Sequence, residues 1–82
     1  DDSGFKTEDI RPVVFPNPSS DEFSIQLNEK TDLRITDVLG RTVKEIFNVN
    51  GIVAFGNEFI AGIYFVEMKV GDESFVRKIV KE

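Results

Sequence analysis

Beyond residue 9 the apolar residues arrive in short alternating bursts, divided by turn residues every eight to twelve positions, which is the spacing of a sandwich or barrel of short strands. No stretch sustains a helical period for the length of a normal helix. Phe23, Ile25 and Leu27 alternate with Ser24, Gln26 and Asn28, as in a half-buried strand with one wet face. Leu33, Ile35 and Asp37 share the next face, and Leu39-Gly40-Arg41 follows as a hairpin turn. Residues 41 to 48 return with Val43 and Ile46 three apart, so strict alternation fails and a bulge is expected between them. Asn50-Gly51 reads as a turn before a short strand, Ile52 to Phe55.

A corner from Gly56 to Gly62 leads into the last hairpin. There Tyr64, Val66, Met68 and Val70 form the expected core face, with a turn at Gly71-Asp72. The final strand, Glu73 to Val80, carries apolar residues on both faces, and alternation leaves its inward side open. Ile10 to Phe15 makes a first strand, and Pro12, which lacks the ladder donor, marks it as an edge. Seven short strands and no regular helix predict an antiparallel immunoglobulin-like β-sandwich. Tyr64 is then placed as a corner tyrosine, its hydroxyl bonded to nearby backbone.

Eighty-two residues suffice for one domain, and the absence of Cys leaves the core to the hydrophobic residues, eight Phe among them. Residues 1 to 9 hold four acids and one Lys and lack hydrophobic period, so they read as a flexible acidic linker ahead of a domain over residues 10–82. The chain begins at Asp1 rather than Met and is read as a piece of a longer protein, with any signal peptide upstream. Most chain ends fray unless tied down, so a terminus built into a sheet suggests that the end itself is used.

Composition removes several function classes. Of the net charge of −5, residues 1 to 9 carry −3, and the cations Arg77, Lys78 and Lys81 of the last strand are too few for a nucleic-acid face. Without His or Cys the usual general base and thiol nucleophile are missing, so no enzyme, cofactor or small-molecule substrate is expected. Zinc and iron lose their ligands with the same two residues. Asn17, Ser20, Asp21 and Glu22 form an oxygen-rich loop, but their spacing matches no calcium motif.

Three separated blocks resemble one family. They are Val14-Phe15-Pro16-Asn17-Pro18 with the strand Phe23 to Leu27, then Leu33 to Val43 through Asp37-Val38-Leu39-Gly40-Arg41, and then Phe59 to Val66 running on to Lys78-Ile79-Val80-Lys81. In this order and spacing they resemble the C-terminal sorting domain of the bacterial type IX secretion system. The likeness spans residues 13 to 82, and departs from the usual pattern at Thr36, Phe59 and Ile60.

The resemblance implies a secretion signal that carries an upstream passenger of the same polypeptide through periplasm and outer membrane of a Bacteroidetes-type cell. The cargo ends secreted or at the cell surface. It implies two further partners: the type IX translocon, and a sortase-like peptidase that cuts in or before the linker and often joins the cargo to surface lipopolysaccharide. The sorting-motif residues it marks are Pro16, Asn17, Pro18, Gly40, Arg41, Gly62, Tyr64, Lys78, Ile79, Val80 and Lys81. Most of these serve as backbone devices on their chemistry alone, and Lys78 and Lys81 are the pair expected to meet a partner. The rival reading is an immunoglobulin-like spacer or carbohydrate-binding module of a secreted hydrolase or adhesin. Sugar platforms favour exposed Trp or Tyr, and this chain has no Trp and one Tyr on the expected core face.

Overall fold

The computed structural model of the chain describes residues 12–82. The expected linker at residues 1 to 9, and Ile10 and Arg11 of the first strand, lie outside the described residues. Five strands are present: β1 (Val14–Phe15), β2 (Phe23–Asp37), β3 (Thr42–Phe55), β4 (Gly62–Val70) and β5 (Glu73–Lys81). All pairings between them are antiparallel: β1 and β4 pair successive halves of one side of β2, β3 pairs its other side, and β5 pairs β4.

Of the seven expected segments the first is, among the described residues, a strand only at Val14–Phe15, the other six are strands, and four of those six are joined into two long ones. Asn50-Gly51 makes no turn, because Gly51 stands opposite Leu27 and the ladder continues on either side of it. A bend takes the turn's place. Between the pairs Leu27–Gly51 and Leu33–Ile46 the register slips twice, and Asn48 and Gly51 have positive φ. The Asp32 carboxylate accepts the Asn48 N–H at 2.9 Å, and the Thr31 hydroxyl donates to the Glu29 carbonyl at 2.9 Å, so local side chains hold the irregular backbone. The bulge expected between Val43 and Ile46 lies at Val43, skipped between the pairs Ile35–Lys44 and Thr36–Thr42.

Bending β2 and β3 across these bulges makes two layers from one curled sheet. The first holds β1, Phe23 to Leu27 and residues 51 to 55; the second holds Leu33 to Asp37, residues 42 to 46, β4 and β5. The inner faces bury Phe23, Ile25, Leu33, Ile35, Val66, Met68 and Ile79 completely. At about 25 cal/mol per Å², removal of these side chains from water dominates the stability of the domain. Ile79 settles the inward side of β5, since Phe75, Arg77, Ile79 and Lys81 share its parity.

The sandwich has two unlike ends. At the bend end Pro12 enters beside Leu27, Thr31, Val70 and Phe75, and its carbonyl accepts the Arg77 guanidinium N–H at 3.1 Å. At the other end, about 27 Å away along the nine residues of β4, gather the 16–22 loop, the Asp37–Arg41 hairpin, the 56–62 corner and the end of β5.

Candidate functional site

Every residue of the expected sorting motif lies at or toward this second end, in two clusters. The first joins the start of the described chain to its end. Pro16 and Pro18 lack backbone N–H groups, so this loop cannot pair with β5 through its main chain alone; both prolines follow cis peptide bonds. The Asn17 side chain supplies the missing groups: Nδ2 donates to the Lys78 carbonyl at 3.0 Å, and Oδ1 accepts the Val80 N–H at 3.0 Å. Ser19 then pairs by backbone in a parallel bridge to Lys81, donating to Val80 at 3.0 Å and accepting from Glu82 at 2.8 Å. Pro16-Asn17-Pro18 and Lys78-Ile79-Val80-Lys81 are therefore one physical unit, with the loop capping the edge of the last strand.

Lys81, expected with Lys78 as a cation offered to a partner, is buried at 6% exposure. Its ammonium donates to the carbonyls of Gly56 (2.8 Å), Asn57 (3.4 Å) and Asp21. Three donors meet three acceptors, and the side chain ties the 16–22 loop, the 56–62 corner and β5 together. Sequence reasoning missed this role because the inward side of β5 was open; the signal was the parity that Lys81 shares with Ile79. Lys78, one position out of phase, is exposed.

The second cluster is built on the hairpin and the corner. Asp37 Oδ1 accepts the Leu39 and Arg41 N–H groups at 2.9 and 3.0 Å, and Oδ2 accepts the Arg41 guanidinium at 2.9 Å. The Arg41 N–H does most to hold this carboxyl below the ordinary carboxylate range, against an opposing effect of burial. Gly40, at φ 82°, closes the turn by donating to the Asp37 carbonyl. Asp37 thus braces the Leu39-Gly40-Arg41 turn that follows it.

Tyr64, at 6% exposure, donates its hydroxyl to the Ile60 carbonyl four residues upstream at 2.7 Å, as expected of a corner tyrosine. Phe59 fits there because its ring stacks on Tyr64 at 4.8 Å and tilts against Phe55 at 6.4 Å, continuing the stack of Phe55 on Phe23. Gly62 opens β4 opposite Lys81. We expect Tyr64→Phe to lower stability by about 1 kcal/mol, seen as a lower urea midpoint; an unchanged midpoint would remove the hydroxyl from the corner's support.

Between hairpin and corner runs an open groove of about 630 Å³ lined by Asp37, Leu39, Val43, Phe59, Ile60 and Ile63, among others. Its rim charges are matched, Asp37 with Arg41 at 2.9 Å and Glu58 with Lys44 at 3.4 Å. Among the described residues no cluster of three acids could hold a metal. In the oxygen-rich loop the Asn17 amide and the Asp21 carbonyl are already engaged by β5.

The profile of the secretion system C-terminal sorting domain matches residues 13–82, which includes both clusters and the strands between them. The chain belongs to that family. It is thus a type IX C-terminal sorting domain, the signal of a protein destined for the outside or the surface of the cell, in a family that is generally non-catalytic. An endo-acting ulvan lyase of Formosa agariphila is 38% identical over 72 residues, covering 83% of this chain and 14% of that protein. A structure from work on PorZ, an essential surface component of the type IX secretion system of Porphyromonas gingivalis, shares the fold with a TM-score of 0.73 at 24% identity; the match covers 87% of this sorting domain and 11% of that chain. The sorting domain spans about a seventh or less of the length of either.

Proposed function

We propose that this sorting domain is read by the translocon at the end where its motif residues gather, while its passenger is attached at the opposite end. A sortase-like peptidase then cuts on the N-terminal side of Pro12 and joins the cargo to surface lipopolysaccharide. One observation carries the reading: Pro12 enters at the bend end, about 27 Å from the motif cluster along β4. The described chain is thus entered from the end away from the motif residues. The likeness to a lyase in which such a domain occupies a small share of the chain supports an enzyme as cargo.

The rival carbohydrate-binding reading is weakened by the burial of Tyr64, whose ring is stacked and whose hydroxyl is engaged. The test is to place residues 1–82 behind a periplasmic reporter in a type IX competent host. Surface display of the reporter is expected; retention in the periplasm would overturn the reading. Deleting Lys78 to Glu82 is a poor test, because it also removes the partners of Asn17 and the Lys81 ammonium, so lost export could reflect lost folding. Point substitutions at exposed positions separate the two.

A further inference from the structure

Antiparallel sheets with one face on the core ordinarily turn polar residues to water on the other. The closing hairpin departs from this. Its inner face is Tyr64, Val66, Met68 and Ile79, yet half of its outer face is apolar as well: Ile63 opposite Val80, Phe65 opposite Lys78, and Glu67 opposite Val76, with Lys69 opposite Ser74 beside the turn. Ile63 is 41% and Val76 59% exposed, with Phe65 and Val80 half-buried. Glu67 is held by Arg34 on the neighbouring strand at 2.8 Å. The Lys78 ammonium, set among the four apolar side chains, has no acidic partner among the described residues.

We infer that this outer face is the domain's docking surface, and that its occupant is a protein surface of the export machinery that is apolar and carries a carboxylate opposite Lys78. The inference rests on the sorting reading. Charge chooses the occupant. With Arg34 paired to Glu67 and Asp32 standing opposite Lys69 on the neighbouring strand, Lys78 is the cation of this face that no acid faces across the strands, so a second copy of the chain would bring two unmatched ammoniums into one interface, a costly burial. An apolar partner with one carboxylate covers the hydrophobic area and supplies the counter-charge, which fixes orientation as well as adding contact.

Pairing at a strand edge is a poorer fit. The end of the β5 edge is already capped by Asn17 and Ser19, and the edge of β3 is broken by register shifts, a device that discourages strand addition. The outer face of the closing hairpin is left open.

The test is the rate at which the reporter fusion reaches the surface, measured alongside the urea midpoint of each variant. Lys78→Glu should slow export about tenfold or more, since reversing one member of a buried charge pair is severe; Val76→Asp should do the same, and Lys78→Arg should export normally. Lys69→Glu is the control, an identical charge change on the same face near the Val70–Glu73 turn, and should leave the rate within about twofold. Midpoints should match the wild type. If Lys78→Glu costs stability, Lys78→Gln takes its place, with a slowing of about threefold expected.

Wild-type export with Lys78→Glu at full rate, or with Lys69→Glu equally slow, would overturn the docking surface and leave the sorting reading standing. Failure of the wild-type fusion to export would overturn both.

Discussion

Lys81→Ala is expected to remove about 4 kcal/mol of stability, which for a domain of this size lowers Tm by roughly 15–30 °C. Two losses add. The ammonium holds the carbonyls of Gly56, Asn57 and Asp21, and hydrogen bonds to a charged group are each worth about 1.5–3 kcal/mol net. The buried stem leaves a cavity when truncated, as in other large-to-small replacements. Lys81→Met separates the two losses: it keeps the stem and relieves the desolvation of a charge, but strips three carbonyls of their donor, so about 2 kcal/mol is expected. Lys78→Ala, three residues away and exposed, should change stability by less than about 0.5 kcal/mol. Urea midpoints for the three variants measure all of this, and a Lys81→Met protein as stable as wild type would mean that the ammonium is not a staple.

That contrast shows what alternation can and cannot disclose. Phe23, Ile25 and Leu27 declared their inward face because Ser24 and Gln26 separate them, and Tyr64, Val66 and Met68 declared theirs because Glu67 and Lys69 fall on the opposite face, and all six are buried. Val43 announced its bulge by breaking the period. Asn50-Gly51 misled, because the pair favours a turn only when the strands on either side pair with each other; here both continue against β2, and the Asp32 carboxylate holds Asn48 instead. Asn17 was legible as part of a stiff turn, whereas its clamp on β5 joins residues 61 and 63 positions apart. Contacts of that range follow from the curl of the whole sheet, and no local pattern encodes them. The same limit hid the difference between Lys78 and Lys81. Both read as cations on a closing strand, and only the parity fixed by Ile79 sends one inward to bind the fold together and leaves the other outward.

Gly56→Ala should cost about 3–4 kcal/mol, more than alanine at any other glycine among the described residues, because it combines backbone strain with a clash. Gly56 is buried with φ 89°, where a side chain is unfavourable by about 1–2 kcal/mol. A Cβ built there would stand 2.9 Å from Cδ2 of Phe23 and 3.3 Å from Cδ2 of Phe59. Neither ring can move away freely, since Phe23 is fully buried and stacked on Phe55 at 5.8 Å, and Phe59 is stacked on Tyr64 at 4.8 Å. Overpacking of this kind costs about 1–3 kcal/mol. Gly40→Ala isolates the backbone part: its φ is similar at 82°, but nothing lies within 4 Å of its Cβ position, so about 1 kcal/mol is expected. Equal urea midpoints for the two variants would show that the aromatic stack yields to the methyl group. A larger loss at Gly56 would locate the rigidity of the motif end in the chain of rings from Phe23 to Tyr64. Because the Gly56 carbonyl also accepts the Lys81 ammonium, displacing this backbone should weaken both anchors of the last strand together, and Gly56→Ala combined with Lys81→Met should lose less than the sum of the two single losses.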